Sequence, residues 1–207
     1  MMAALASRPL RDQALFQLQL HTGFRIAEIT SLRVGQVFDG RDIRPAVTIA
    51  RKRLKGGRGQ HAKSVTSRSV PLNDTVVGIL RQYLFARFGS GSCVADDENA
   101  PLFPSRRRGF VLTRWRANVI IHQVMAAAGV QSPERFGTHS LRKTFARRIY
   151  AGTGNDINLT RAALGHSQIS TTQKYLEVDQ EHLTAAILAL GRSAGTTPAA
   201  GQQAKPA

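Results

Sequence analysis

Apolar residues recur at helical spacing through most of the chain. In PLRDQALFQLQLH, residues 9 to 21, Leu10, Ala14, Leu15 and Leu18 fall about one turn apart and predict a helix. A break at Thr22-Gly23 separates it from RIAEITSLR, a second short helix. The pattern then changes. VTIAR and SVTSRSVPL are rich in Val, Ile and Thr and flank a turn region containing Gly and Lys, so this stretch predicts two antiparallel strands joined by a long basic loop. Asn73 or Asp74 can cap the next helix, DTVVGILRQYLFARF, whose Val77, Leu80 and Leu84 lie near one face. GSGSCVADDENAP carries the Gly, Ser and Asp of a loop. The second half predicts helices over residues 113 to 128, about 139 to 151, 156 to 164, 170 to 177 and 180 to 190. Thr113, Thr138, Asn155 or Asp156, and Ser170 are their candidate starts. The resulting fold class is mainly α with a small antiparallel β-hairpin. Residues 1–190 form one domain and 191–207, GRSAGTTPAAGQQAKPA, are expected to be a disordered tail with too little apolar content to fold.

Charge points to a partner. Twenty-nine Lys and Arg stand against thirteen Asp and Glu in 207 residues, a net charge of +16, and an imbalance of that size calls for a polyanion such as nucleic acid. The excess is clustered. Between Asp42 and Asp74 lie Arg44, Arg51, Lys52, Arg53, Lys55, Arg58, Lys63 and Arg68 without a carboxylate among them, and a second acid-free run from Asn99 to Pro133 carries Arg106, Arg107, Arg108, Arg114 and Arg116. Solvated basic faces and attraction to a membrane surface are the competing explanations of these runs. A lone Cys93 rules out an internal disulfide framework and a Cys-based zinc site, which favours a reducing compartment. No stretch approaches the ~18 apolar residues that span a bilayer, and MMAALASRPLRDQ lacks a signal-peptide core, so a cytoplasmic, nucleoid-associated protein without membrane partners is expected.

Four pieces of sequence narrow the function: TGFRIAEITSLR, the LKGG turn, THSLRKTFARRI and LGHSQISTTQKYLEV. Each alone has an ordinary structural explanation. In this order, the chain from about residue 9 to 190 resembles the catalytic domain of the tyrosine recombinase, or phage integrase, family, whose function is site-specific recombination of double-stranded DNA. HSLR followed two dozen residues later by LGHSQISTTQKY is the specific part of the pattern. The resemblance implies a catalytic set of Arg25, Lys55, His139, Arg142, His166 and Tyr175, with no cofactor and no metal. Lys55 is preferred because it precedes Gly56-Gly57, while Lys52 and Lys63 lie in the same expected hairpin. Glu28 is expected to orient Arg25, and Lys143 stands where many members carry a second His.

The residue types suit that chemistry in their own right. A protein nucleophile stores the energy of a broken phosphodiester as a covalent ester, and Tyr175 supplies a phenol for it. Its ordinary pKa near 10 requires surroundings that favour the phenolate. Arg25 and Arg142 offer planar forks of donors to phosphate oxygens, where transition-state charge accumulates. His139 lies one helical turn from Arg142 and so on the same face. By resemblance it accepts the phenol proton, His166 donates to a phosphate oxygen, and Lys55 protonates the leaving 5′ oxygen.

Resemblance also implies an N-terminal helical domain that clamps the DNA, and with Arg25 so near the first residue this core-binding domain is expected to be absent. A homo-oligomer, a tetramer on paired DNA sites, is expected through the C-terminal helix QEHLTAAILAL, whose Leu183, Ile187 and Leu190 recur at helical spacing. Type IB topoisomerase-like relaxation and an inactive DNA-binding regulator that retains the fold are the alternative functions.

Overall fold

The computed structural model describes residues 2–50, 67–89, 98–107 and 110–176. Lys52, Lys55 and Lys63, the hairpin loop around them, Cys93, the predicted helix 180–190 and the tail 191–207 therefore lie outside the described residues. The chain divides into two units, Met1–Tyr175 and Leu176–Ala207, and every described residue except Leu176 belongs to the first.

Among the described residues, eight α-helices and one two-stranded sheet make up the fold, in line with the mainly α class expected. They are α1 Met2–Ala6, α2 Leu10–Thr22, α3 Ile26–Thr30, β1 Ala46–Ile49, β2 Arg68–Pro71, α4 Asp74–Phe88, α5 Arg114–Ala127, α6 Thr138–Gly152, α7 Ile157–Leu164 and α8 Ile169–Leu176. Short 3₁₀ turns at Val34–Gln36 and Pro133–Arg135 complete the path. The two strands pair antiparallel, from Ala46 opposite Pro71 to Ile49 opposite Arg68. Val47, Ile49 and Val70 face the core, as the alternation of a half-buried sheet requires.

Local chemistry sets the helix starts. Asn73 Oδ1 accepts from the Val76 amide, and Thr113 Oγ1 from that of Arg116. Asp156 rather than Asn155 caps α7, its Oδ1 accepting from Asn158 and Leu159, because Asn155 sits at a left-handed φ of 67° just before it. Helix α6 begins at Thr138 itself, whose amide donates to Asn118 Oδ1, and α8 begins at Ile169, one residue before the expected Ser170.

Helix α2 forms where its spacing predicts and is buried on two sides. Ala14, Leu15 and Leu18 join a main core with Ile29, Val47, Leu80, Leu84 and Phe103, while Phe16 and Leu20 on its other side pack with Leu5, Ile121, Val124 and Leu141. It runs through the middle of the unit, touching α4 and α6. A central helix must pair whatever polar groups it carries inward. Buried Asp12 takes Arg11 at 2.8 Å and Arg8 at 3.3 Å, and buried Gln19 donates to the Thr138 carbonyl at 2.9 Å. Through that last bond the start of α6 is fixed against the end of α2.

Candidate active site

The site begins where α2 stops. Gly23 adopts a left-handed φ of +58°, and a Cβ there would meet the Phe145 ring at 2.2 Å, so both conformation and space demand glycine. Two residues on, Arg25 occupies the cap position of α3. Glu28, one turn later and 2 % exposed, is bound twice to it. Its Oε2 accepts from the Arg25 amide at 2.7 Å and its Oε1 from the Arg25 guanidinium at 2.9 Å. Arg25 is thereby aimed by its own helical turn, while its side chain stays 30 % exposed and reachable from outside.

Arg142, on α6, is 1 % exposed and among the largest side chains enclosed by the fold. It donates to the Gly23 carbonyl, to the Leu164 carbonyl at 2.8 Å and to His166 Nε2 at 3.0 Å. Tyr175 of α8 lies near enough to act on its guanidinium electrostatically. Burial lowers the Arg142 pKa, as does Arg25, while Glu28 and Tyr175 oppose the shift. Arg142 thus joins three segments that are far apart in sequence. His139, one turn earlier on α6, is exposed.

His166 follows the left-handed Gly165 that ends α7. Its tautomer follows from its neighbours. A guanidinium only donates, so Nε2 carries a lone pair, and the proton sits on Nδ1, 3.0 Å from Thr172 Oγ1. Burial pushes the imidazole down to about 4, with Arg142, Arg25 and Arg68 adding to the effect. A neutral His166 therefore bridges the buried guanidinium to the helix of Tyr175. Thr172 is completely buried, and the rings of His166 and Tyr175 stand 5.3 Å apart at 53°. Thr172 and Tyr175 are one turn apart, so the hydrogen bond at the first orients the second.

That shift has a measurable sign. An unfolded His takes its proton near pH 6.5 whereas folded His166 resists until about 4, so stability falls as pH drops through this interval. Urea midpoints at pH 7 and 4.5 should show wild type losing about 2 kcal/mol more than His166→Asn. An equal loss in both proteins would contradict the neutral, enclosed imidazole.

Comparison with known proteins identifies the family. The model of the phage integrase family matches residues 1–182. The chain belongs to the phage integrase family. The XerC tyrosine recombinase of Pelobacter propionicus is 33% identical over 177 residues, covering 84% of this chain and 50% of that protein. The XerD tyrosine recombinase of Caulobacter vibrioides is 31% identical over 179 residues, covering 86% and 53%. Among solved structures, the XerA recombinase superposes with a TM-score of 0.67 at 25% identity, over 88% of this chain and 57% of that one. The XerH site-specific recombinase bound to difH substrate in a pre-cleavage complex does so at 0.63 and 23%, over 90% and 50%. The chain spans about half the length of the curated relatives it matches.

In this phage integrase family fold, Arg142 bonds to His166, whose ring stands beside that of Tyr175, and Arg25 adds to the positive field on the first two. His139 stands one turn away on α6, and Lys55 is outside the described residues. Glu28 holds Arg25 by two hydrogen bonds, as the resemblance implied. Sequence reading passed over Thr172 and Arg68. Thr172 had a signal in its place three residues before Tyr175 on a short helix. Arg68 looked like one more cation in a basic run. None of the helices among the described residues is long and apolar enough to cross a membrane.

Proposed function

We propose that this chain carries out strand cleavage and rejoining in a site-specific DNA recombinase, through a covalent 3′-phosphotyrosine. The observation that carries this reading is the convergence of the Tyr175 phenol on the buried Arg142 guanidinium and the His166 imidazole. Tyr175 Oη attacks the phosphorus, the bond from phosphorus to the 5′ oxygen breaks, and the 3′ end stays on the enzyme. The phenol proton passes to His139 and the departing 5′ oxygen takes one from Lys55. Arg25 and Arg142 stabilise the charge on the non-bridging oxygens. His166, neutral with its proton on Nδ1, turns Nε2 into a donor only on taking up a second proton, and an arriving phosphate would offset the cationic field that now opposes this. Attack by another 5′ hydroxyl reverses the sequence and joins new ends.

The named relatives support the reading. The XerH recombinase stands bound to its difH substrate in pre-cleavage and post-cleavage complexes, and integrase of the Tn1549 transposon with circular intermediate DNA. A homo-oligomer on paired sites, assembled through residues 180 to 190, belongs to the same proposal. A nicked suicide duplex, on which the released strand cannot return, should trap an SDS-resistant protein–DNA adduct. Relaxation of supercoiled plasmid by a monomer would favour the topoisomerase-like alternative, and binding without any adduct the regulator.

A further inference from the structure

The buried Arg68, first residue of β2, repeats the contacts of Arg142 one residue out of step. Its Nη2 donates to the Thr22 carbonyl at 2.8 Å and to the Ala163 carbonyl at 2.5 Å. Arg142 donates to the next carbonyl in each segment, Gly23 and Leu164. Two guanidinium groups thus fasten together the C-terminal ends of α2 and α7, where helices present unpaired carbonyls and the negative end of their dipole. Three residues beyond Thr22 comes Arg25, and three beyond Ala163 comes His166. Arg68 is seated on the Phe24 ring at 4.7 Å, its Nη1 lies 3.9 Å from Glu28 Oε2, and a Cβ on Gly165 would meet its Cδ at 2.8 Å.

Arg142 has a second task if it binds phosphate. Its donors are largely committed to carbonyls and to His166, and its Nε–H is enclosed without a partner among the described residues. Turning toward an incoming phosphate would release at least part of its hold on the two helix ends. Arg68 is 8 % exposed and lies behind Phe24 and Gly165, so its own hold need not be released. Keeping it there is costly, since its Nε and Nη1 have no hydrogen-bond partner among the described residues.

We propose that Arg68 is a positioning residue of the strand-cleavage site, holding the segments that lead to Arg25 and His166 in register while Arg142 turns from backbone carbonyls to a DNA phosphate. Arg68 also begins β2, the strand paired with β1, so one residue ties the sheet, the Arg25 turn and the His166 turn together. The kinetic part rests on the recombinase reading above.

The test compares wild type, Arg68→Lys and Arg68→Met by three measurements: gel-shift Kd on one duplex site, single-turnover cleavage of a suicide duplex at saturating DNA, and the ¹⁵N spectrum of the His166 ring at neutral pH. In Arg68→Met the cleavage rate should fall ~10²-fold, the scale of a misplaced catalytic group. Kd should stay near the wild-type value, and the Nε2 resonance should move away from the pure acceptor position as the Arg142 bond loosens. Lys keeps the charge and enough donors, but its side chain ends one bond short of the place Nη2 holds between the Thr22 and Ala163 carbonyls, so Arg68→Lys should recover only part of the rate and of the spectral shift. Parallel losses of Kd and rate in both variants would mean a merely structural role and overturn the proposal. So would a wild-type rate and spectrum in Arg68→Lys, which decides the matter if the Met variant does not fold. Should wild type itself cleave nothing, the recombinase reading fails while the His166 spectra still decide whether Arg68 positions that ring.

Discussion

Tyr175→Phe yields no SDS-resistant adduct on a suicide duplex, a loss of at least about 10⁴-fold, while single-site binding remains near wild type. Only one oxygen is removed. The ring still packs 5.3 Å from His166, and Thr172 still anchors the helix through His166 Nδ1, so the variant keeps the local fold. The rate cannot survive, because nothing else at that place can form the covalent ester. An adduct formed by the Phe variant, detected on a denaturing gel, would move the nucleophile elsewhere. The same variant provides a reference for binding without chemistry, against which the other substitutions can be judged.

Arg142→Ala combines two large losses. Removing a donor to developing phosphate charge costs roughly 10²–10³-fold in cleavage rate. The side chain is also a structural tie, and its loss leaves the Gly23 and Leu164 carbonyls and His166 Nε2 without their buried donor. Each abandoned buried group costs about 1–3 kcal/mol, so the variant should be less stable by several kcal/mol in urea denaturation. Arg142→Lys separates the two effects. It keeps a cation near Glu28 and can serve one carbonyl, yet it lacks the planar fork, so stability should partly return while cleavage remains slow. Equal recovery of both would show that Arg142 acts only through the fold.

Much of this was legible in one dimension. The apolar spacing of α2, the Val- and Thr-rich strands and the Asn73, Thr113 and Asp156 caps are local signals, set by residues within a turn of one another. The pairing of Arg25 with Glu28 belongs to the same class, since three residues separate them on one helix start. What covers a helix is a different matter. Helix α2 carries Phe16 and Leu20 one turn apart beside its Ala14, Leu15 and Leu18, but the two separate cores that close on these two sides come from residues distant in sequence.

Residue types and their order by themselves determined the family pattern, the mainly helical fold, the basic character and the identity of the candidate nucleophile. Those properties follow from what each side chain can do and from its near neighbours. Tertiary structure alone decided which cations are buried and what state the histidine takes. Arg142 meets the Gly23 carbonyl across 119 residues, and Arg68 meets the carbonyls of Thr22 and Ala163 across 46 and 95. In sequence nothing sets Arg68 apart from the other arginines of its basic run. Only when the ends of α2 and α7 are brought together do their unpaired carbonyls create a place for a guanidinium, and only the burial of His166, with three guanidinium groups adding to its effect, keeps that imidazole neutral.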